Sequence, residues 1–124
     1  MAIQMRRCAR IRHRTGSGTT GTVTLSETAA NFSKLKIFYR TDDWSYQSVE
    51  IPAPNGKKVD LSVNHPRENG PATSVALKDA WVTISGTSIT VLGYYNITMT
   101  TSAVTSYSGY SGNVIYIVRV EGIR

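Results

Sequence analysis

From Lys34 to Arg40 the chain alternates with period two. Leu35, Ile37 and Tyr39 fall on one side, and Lys34, Lys36, Phe38 and Arg40 on the other. That period is the signature of a strand with one covered face. Thr22–Ser26 reads the same way, as do Tyr46–Ile51, with Val49 and Ile51 inward, and Val59, Leu61 and Val63. Val75 and Leu77 begin a short strand, and Ala80, Val82 and Ile84 belong to another. Ile89–Val91 pairs back across the Ser85-Gly86-Thr87-Ser88 turn, and Tyr95, Ile97 and Met99 give a further strand. Asn55-Gly56 marks a tight turn. Residues 64–72 and 102–113 read as loops.

The last strand is different. Val114, Tyr116, Val118 and Val120 share one side, and Ile115, Ile117, Arg119 and Glu121 the other, so its first half is apolar on both. One side serves the core, and strict alternation assigns Ile115 and Ile117 to a contact with another copy of the chain. No stretch repeats apolar residues at i, i+3, i+4 and i+7. Eight or nine short strands with frequent turn signals predict an all-β antiparallel sandwich of jelly-roll or Greek-key type.

Composition supports this and moves the charge. The 124 residues are 40% hydrophobic and 18% charged, with seven tyrosines and ten glycines, a strand-and-turn mixture. The net charge is +6, but Arg6, Arg7, Arg10, Arg12 and Arg14 carry five of those charges in the first 14 residues. The expected organisation is a basic arm with a Gly/Ser/Thr joint over residues 1–21 and a nearly neutral sandwich over 22–124. Five arginines without interleaved aromatics point to anchoring on other proteins more than to nucleic acid. No run approaches the ~18 apolar residues of a membrane helix, and no apolar stretch of a secretion signal opens the chain. Cys8 alone excludes an intrachain disulfide.

Catalytic chemistry is thinly supplied. His13 and His65 are the two histidines, and neither neighbours a recognisable nucleophile motif. Asp42-Asp43 reads as a polar turn, with a calcium site as the alternative. No cysteine–histidine spacing indicates zinc. No enzyme, metal or cofactor is expected. The better signal is aromatic: Trp44 and Tyr46 at a strand–turn edge, Tyr94 and Tyr95 opening a strand, Tyr107 and Tyr110 in a Ser/Gly loop. Such rings carry an apolar face and a polar tip, which suits sugar or protein surfaces.

Gly16-Ser-Gly-Thr-Thr-Gly-Thr-Val-Thr-Leu25, Asn31–Tyr39, Val82–Thr90 and the closing Asn113-Val-Ile-Tyr-Ile-Val-Arg-Val-Glu-Gly-Ile123 resemble a known type of domain. It is the C-terminal tip domain of bacteriophage and prophage tail-fibre or receptor-binding proteins, of the type found in phages of gut Firmicutes. The resemblance implies a β-sandwich homotrimer on the virion that attaches to host-surface glycan or protein, made in the host cytoplasm. The chain departs from a complete fibre in showing neither a stalk nor an N-terminal attachment domain. The alternative is a structural capsid or tail decoration protein anchored through its arginine arm.

Overall fold

A computed structural model describes residues 6–7, 20–42, 44–66, 74–100, 104–107 and 114–124; for 6–7, 64–66 and 104–107 this extends to the backbone only. The elements in chain order are β1 (Arg6–Arg7), β2 (Val23–Thr24), a single 3-10 turn (Ala29–Asn31), β3 (Lys34–Thr41), β4 (Tyr46–Pro52), β5 (Lys58–Pro66), β6 (Ser74–Ser85), β7 (Ser88–Thr100), β8 (Val104–Tyr107) and β9 (Ile115–Ile123). Two antiparallel sheets pack face to face. The first has the order β1-β9-β3-β4 and the second β2-β7-β6-β5, with β8 also on β7. The expected all-β antiparallel sandwich is what forms. β9 returns from the far end of the chain to lie beside β3, as in Greek-key arrangements.

Alternation explains the core. Leu35, Ile37, Ile51, Leu61, Val82, Ile84, Ile89 and Val120 all point between the sheets and are essentially inaccessible. Sandwiches bury one side chain in two along each strand in this way. Turn chemistry closes the hairpins: Gly86, at φ 59°, takes the first central position of the two-residue β6–β7 loop, where a positive φ is required.

Several boundaries differ from the sequence reading. The two short strands expected over 75–84 are one strand, β6, and the two expected over 89–99 are one strand, β7. β7 stays continuous because Leu92 is accommodated as a bulge: Val82 faces Val91 while Trp81 faces Gly93. Part of the loop expected over 64–72 continues β5 as far as Pro66, and part of that expected over 102–113 is β8. Arg6 and Arg7, expected in a free arm, pair with Ile123 and Gly122 at the edge of the first sheet. Arg10, Arg12 and Arg14 lie outside the described residues.

The assignment of Ile115 and Ile117 to a subunit contact is corrected. Both are core residues, at 2% and 1% exposure. Tyr39 pairs with Ile117, but Phe38 pairs with Arg119, so Val118 is one residue too many for the ladder. This bulge reverses the parity of β9. Odd positions face inward before it and even positions, Val120 and Gly122, after it. Strict period-two reading across a bulge puts half the strand on the wrong face.

Candidate binding face on the first sheet

β3 places Lys34, Lys36, Phe38 and Arg40 on the outward face of the first sheet. Cross-strand register then builds three rows there: Glu50–Lys36–Glu121, Ser48–Phe38–Arg119 and Tyr46–Arg40–Tyr116. Successive rows are about 7 Å apart, two residues along a strand. A shallow open hollow of about 400 Å³ lies over this face, lined by Phe38, Tyr46, Gln47 and Ser48.

Trp44 and Tyr46 stand beside it, each 56% exposed, with ring centroids 6.4 Å apart and planes tilted by 47°. The β3–β4 turn holds them. Trp44 N–H donates to the Thr41 carbonyl at 3.0 Å, and Ser45 N–H donates to Thr41 Oγ1 at 3.0 Å. Closure of this turn puts Trp44 at φ 66°, a left-handed conformation that glycine or asparagine ordinarily occupies. The ring packs on Arg40, whose Cζ is 3.7 Å from the Trp44 centroid and 4.1 Å from that of Tyr116. Arg40 is 4% exposed and donates through Nη1 to the Thr41 carbonyl at 2.8 Å, so it supports Trp44 from below.

Of the four singled-out aromatic residues whose side chains are described, Trp44 and Tyr46 come together and Tyr94 and Tyr95 lie elsewhere. Tyr94 is corrected: it is buried between the sheets, where its hydroxyl accepts the Gly21 N–H at 3.1 Å. Its burial raises the phenol pKa, against the Gly21 hydrogen bond. Tyr95 lies on the outward side of the second sheet, opposite Asp79, and cannot share a ligand with Trp44. The backbone of Tyr107 ends β8, opposite Asn96, rather than lying in a loop. Tyr110 is outside the described residues. Phe38, Lys36, Arg40, Tyr116 and Arg119 escaped the sequence reading. The signal was available, since an aromatic at an otherwise charged outward position of a strand is out of pattern.

Near this face, Lys78 Nζ donates to Asp42 Oδ1 at 2.6 Å and ties the two sheets together. A calcium ion at Asp42 would have to displace that ammonium, and Asp43 is outside the described residues. No group of three or more metal-ligating side chains occurs among the described residues.

A second feature is a carboxylate pair built by strand register. Asp60 on β5 and Asp79 on β6 are hydrogen-bonded on the outward face of the second sheet, one diagonal step apart. Desolvation, then the Asp60 charge and the hydrogen bond to Asp60, push Asp79 up to about 6. Desolvation also raises Asp60. Hydrogen-bonded to each other, the two carboxyls leave no gap for a sugar between them, unlike a glycosidase pair. The consequence is for stability. The folded chain holds the Asp79 proton more tightly than the unfolded chain, so stability falls as pH rises from about 4 to about 6. Asp79→Asn removes this dependence and is expected to stabilise the fold at pH 7 by about 1 kcal/mol. That is well under the ~2.7 kcal/mol of a full two-unit shift, because the site is partly solvated. Urea midpoints at pH 4 and pH 7 for both proteins check it; an advantage of Asp79→Asn over the native chain that is no larger at pH 7 than at pH 4 contradicts the raised Asp79 pKa.

No protein-family model matches the chain, and no curated protein matches it.

Proposed function

We propose that this is a binding module of a phage virion, a tail-fibre or tail-tip receptor-binding domain that attaches to host-surface glycan or protein. The observation that carries the binding part is Trp44: an indole held in a strained conformation, packed from below and presented beside Tyr46 at an open hollow. Strained residues persist where the surroundings over-determine them, and they cluster at ligand sites. The virion part rests on the sequence resemblance. The residues brought together here bind by stacking and hydrogen bonding and include no activated nucleophile, so the reading is a non-enzymatic one.

Adsorption of the purified chain to a panel of gut Gram-positive bacteria tests the proposal. A Trp44→Ala, Tyr46→Ala double variant is expected to lose adsorption by an order of magnitude or more while keeping its β circular-dichroism spectrum. Unchanged adsorption by the folded variant sinks the face assignment. The proposed assembly is a homotrimer, and solution mass measurement reads it directly. With Ile115 and Ile117 inside the core, the contact between copies must use another surface.

The alternative, a capsid or tail decoration protein, draws support from one observation. Arg6 and Arg7 add to the β9 edge, so the arm is joined to the sandwich at the first sheet. Incorporation into particles that fails when all five arm arginines are replaced by glutamine, with no cell adsorption by the native chain, would favour it.

A further inference from the structure

The binding face has a charge pattern that points to one class of ligand. Lys36 sits in register between Glu50 and Glu121. Both carboxylates turn elsewhere: Glu50 meets Lys34 at 3.4 Å, and Glu121 meets Arg119. Among the described residues no ion pair includes Lys36. Its ammonium lies instead 5.1 Å from the centroid of Phe38, the wall of the hollow, and the Arg119 guanidinium lies 5.3 Å from the same ring. One ammonium outside any ion pair of the described residues, that of Lys36, therefore stands beside the wall of a hollow whose own lining, Phe38, Tyr46, Gln47 and Ser48, has no acid; the Arg119 charge is met by Glu121. The distance from the Phe38 row to the Tyr46 row is about 7 Å, room for one pyranose ring.

We infer that the ligand is an acidic saccharide, stacked on Trp44 and Tyr46 with its acid group directed to Lys36 beside Phe38. This rests on the binding-module reading and deepens it. Gln47 and Ser48 supply hydrogen bonds to ring hydroxyls, and Lys36 supplies the discrimination between charged and neutral sugars. The acid can be a carboxylate or a phosphate, since both present the same anionic oxygens. Single-stranded nucleic acid fits less well. The Trp44–Tyr46 pair, its planes tilted by 47°, offers no run of parallel platforms for successive bases.

The test is titration of the full chain with polygalacturonate, phosphomannan, neutral dextran and a (dT)12 oligonucleotide at low salt. Binding to at least one acidic glycan about tenfold tighter than to dextran is expected, one charge-assisted contact being worth roughly that factor. Which acidic glycan binds tells carboxylate from phosphate. Lys36→Gln is expected to lose most of that preference. Lys58→Gln removes the same charge from the second sheet, beside Trp81, and is expected to change nothing. Equal losses in the two variants mean bulk attraction and overturn the inference, as does dextran binding as well as the acidic polymers. Tighter binding of (dT)12 replaces the saccharide with nucleic acid. If no acidic polymer binds while cell adsorption still depends on Trp44, the acidic ligand fails and the binding module stands. If Trp44 is dispensable as well, both fail.

Discussion

Replacing Gly122 with alanine is expected to destabilise the fold by about 3 kcal/mol, at the upper end for overpacking. A Cβ built at Gly122 would lie 2.5 Å from Cδ1 and Cε1 of Phe32, closer than any side chain tolerates. Phe32 has little room to retreat. Its ring is buried, the Arg124 guanidinium lies 5.0 Å from its centroid, and Ser33 N–H donates to the Ile123 carbonyl at 2.8 Å. Arg124 is in turn bonded to Glu27. The result would be a fall of about 12 °C or more in Tm for a domain of this size. Gly93→Ala is the matched control: there the added Cβ meets the Tyr95 hydroxyl at 3.5 Å and its ring at 3.7 Å, ordinary contacts, and a change under about 1 kcal/mol is expected. Adding Phe32→Leu to Gly122→Ala should recover part of the loss, and the coupling in that double-mutant cycle locates the clash. A Gly122→Ala protein as stable as the native one would refute the account. The glycine of the closing Arg119-Val-Glu-Gly-Ile123 stretch is thus a packing requirement.

The same strand shows where sequence reading stops. Its existence and its apolar first half were legible from alternation; its partners β1 and β3 were not. The face of Ile115 and Ile117 was not, because a bulge at Val118 is decided by the ladder with β3, and nothing in the sequence of β9 marks it. Gly93 beside the Leu92 bulge had a local signal, since glycine inside a strand pattern marks such irregularities. The binding face was half legible. Trp44 and Tyr46 stood out as aromatics at a turn, and Phe38 broke the polar pattern of β3. Tyr116 and Arg119 could not be joined to them without the register, because β9 lies about 70 residues further along the chain. Asp60 and Asp79 were missed for the same reason: 19 positions separate them, and pairing of β5 with β6 makes them neighbours.

Loss of Trp44 is expected to cut ligand binding and adsorption about 30-fold, the ~2 kcal/mol of an aromatic anchor at a contact centre. Two substitutions separate that contact from the backbone. Trp44→Ala and Trp44→Gly both remove the indole and its packing on Arg40, so both should lose binding equally. They differ in the turn. Alanine keeps the penalty of φ 66° and glycine does not, so the glycine variant is expected to be the more stable by about 1 kcal/mol. The ordinary order at an unstrained position is the reverse, because glycine gives the unfolded chain more freedom. Denaturation midpoints of the two variants give the stability difference, and adsorption gives the functional one. If alanine is the more stable, the turn is not strained at Trp44 and the argument from strain to function falls. If glycine is more stable yet binds as well as the native chain, the strain is real and unconnected with the ligand. Equal loss of binding with the glycine variant more stable would mean that a residue better suited to the turn exists, and that the tryptophan is kept there for what it contacts.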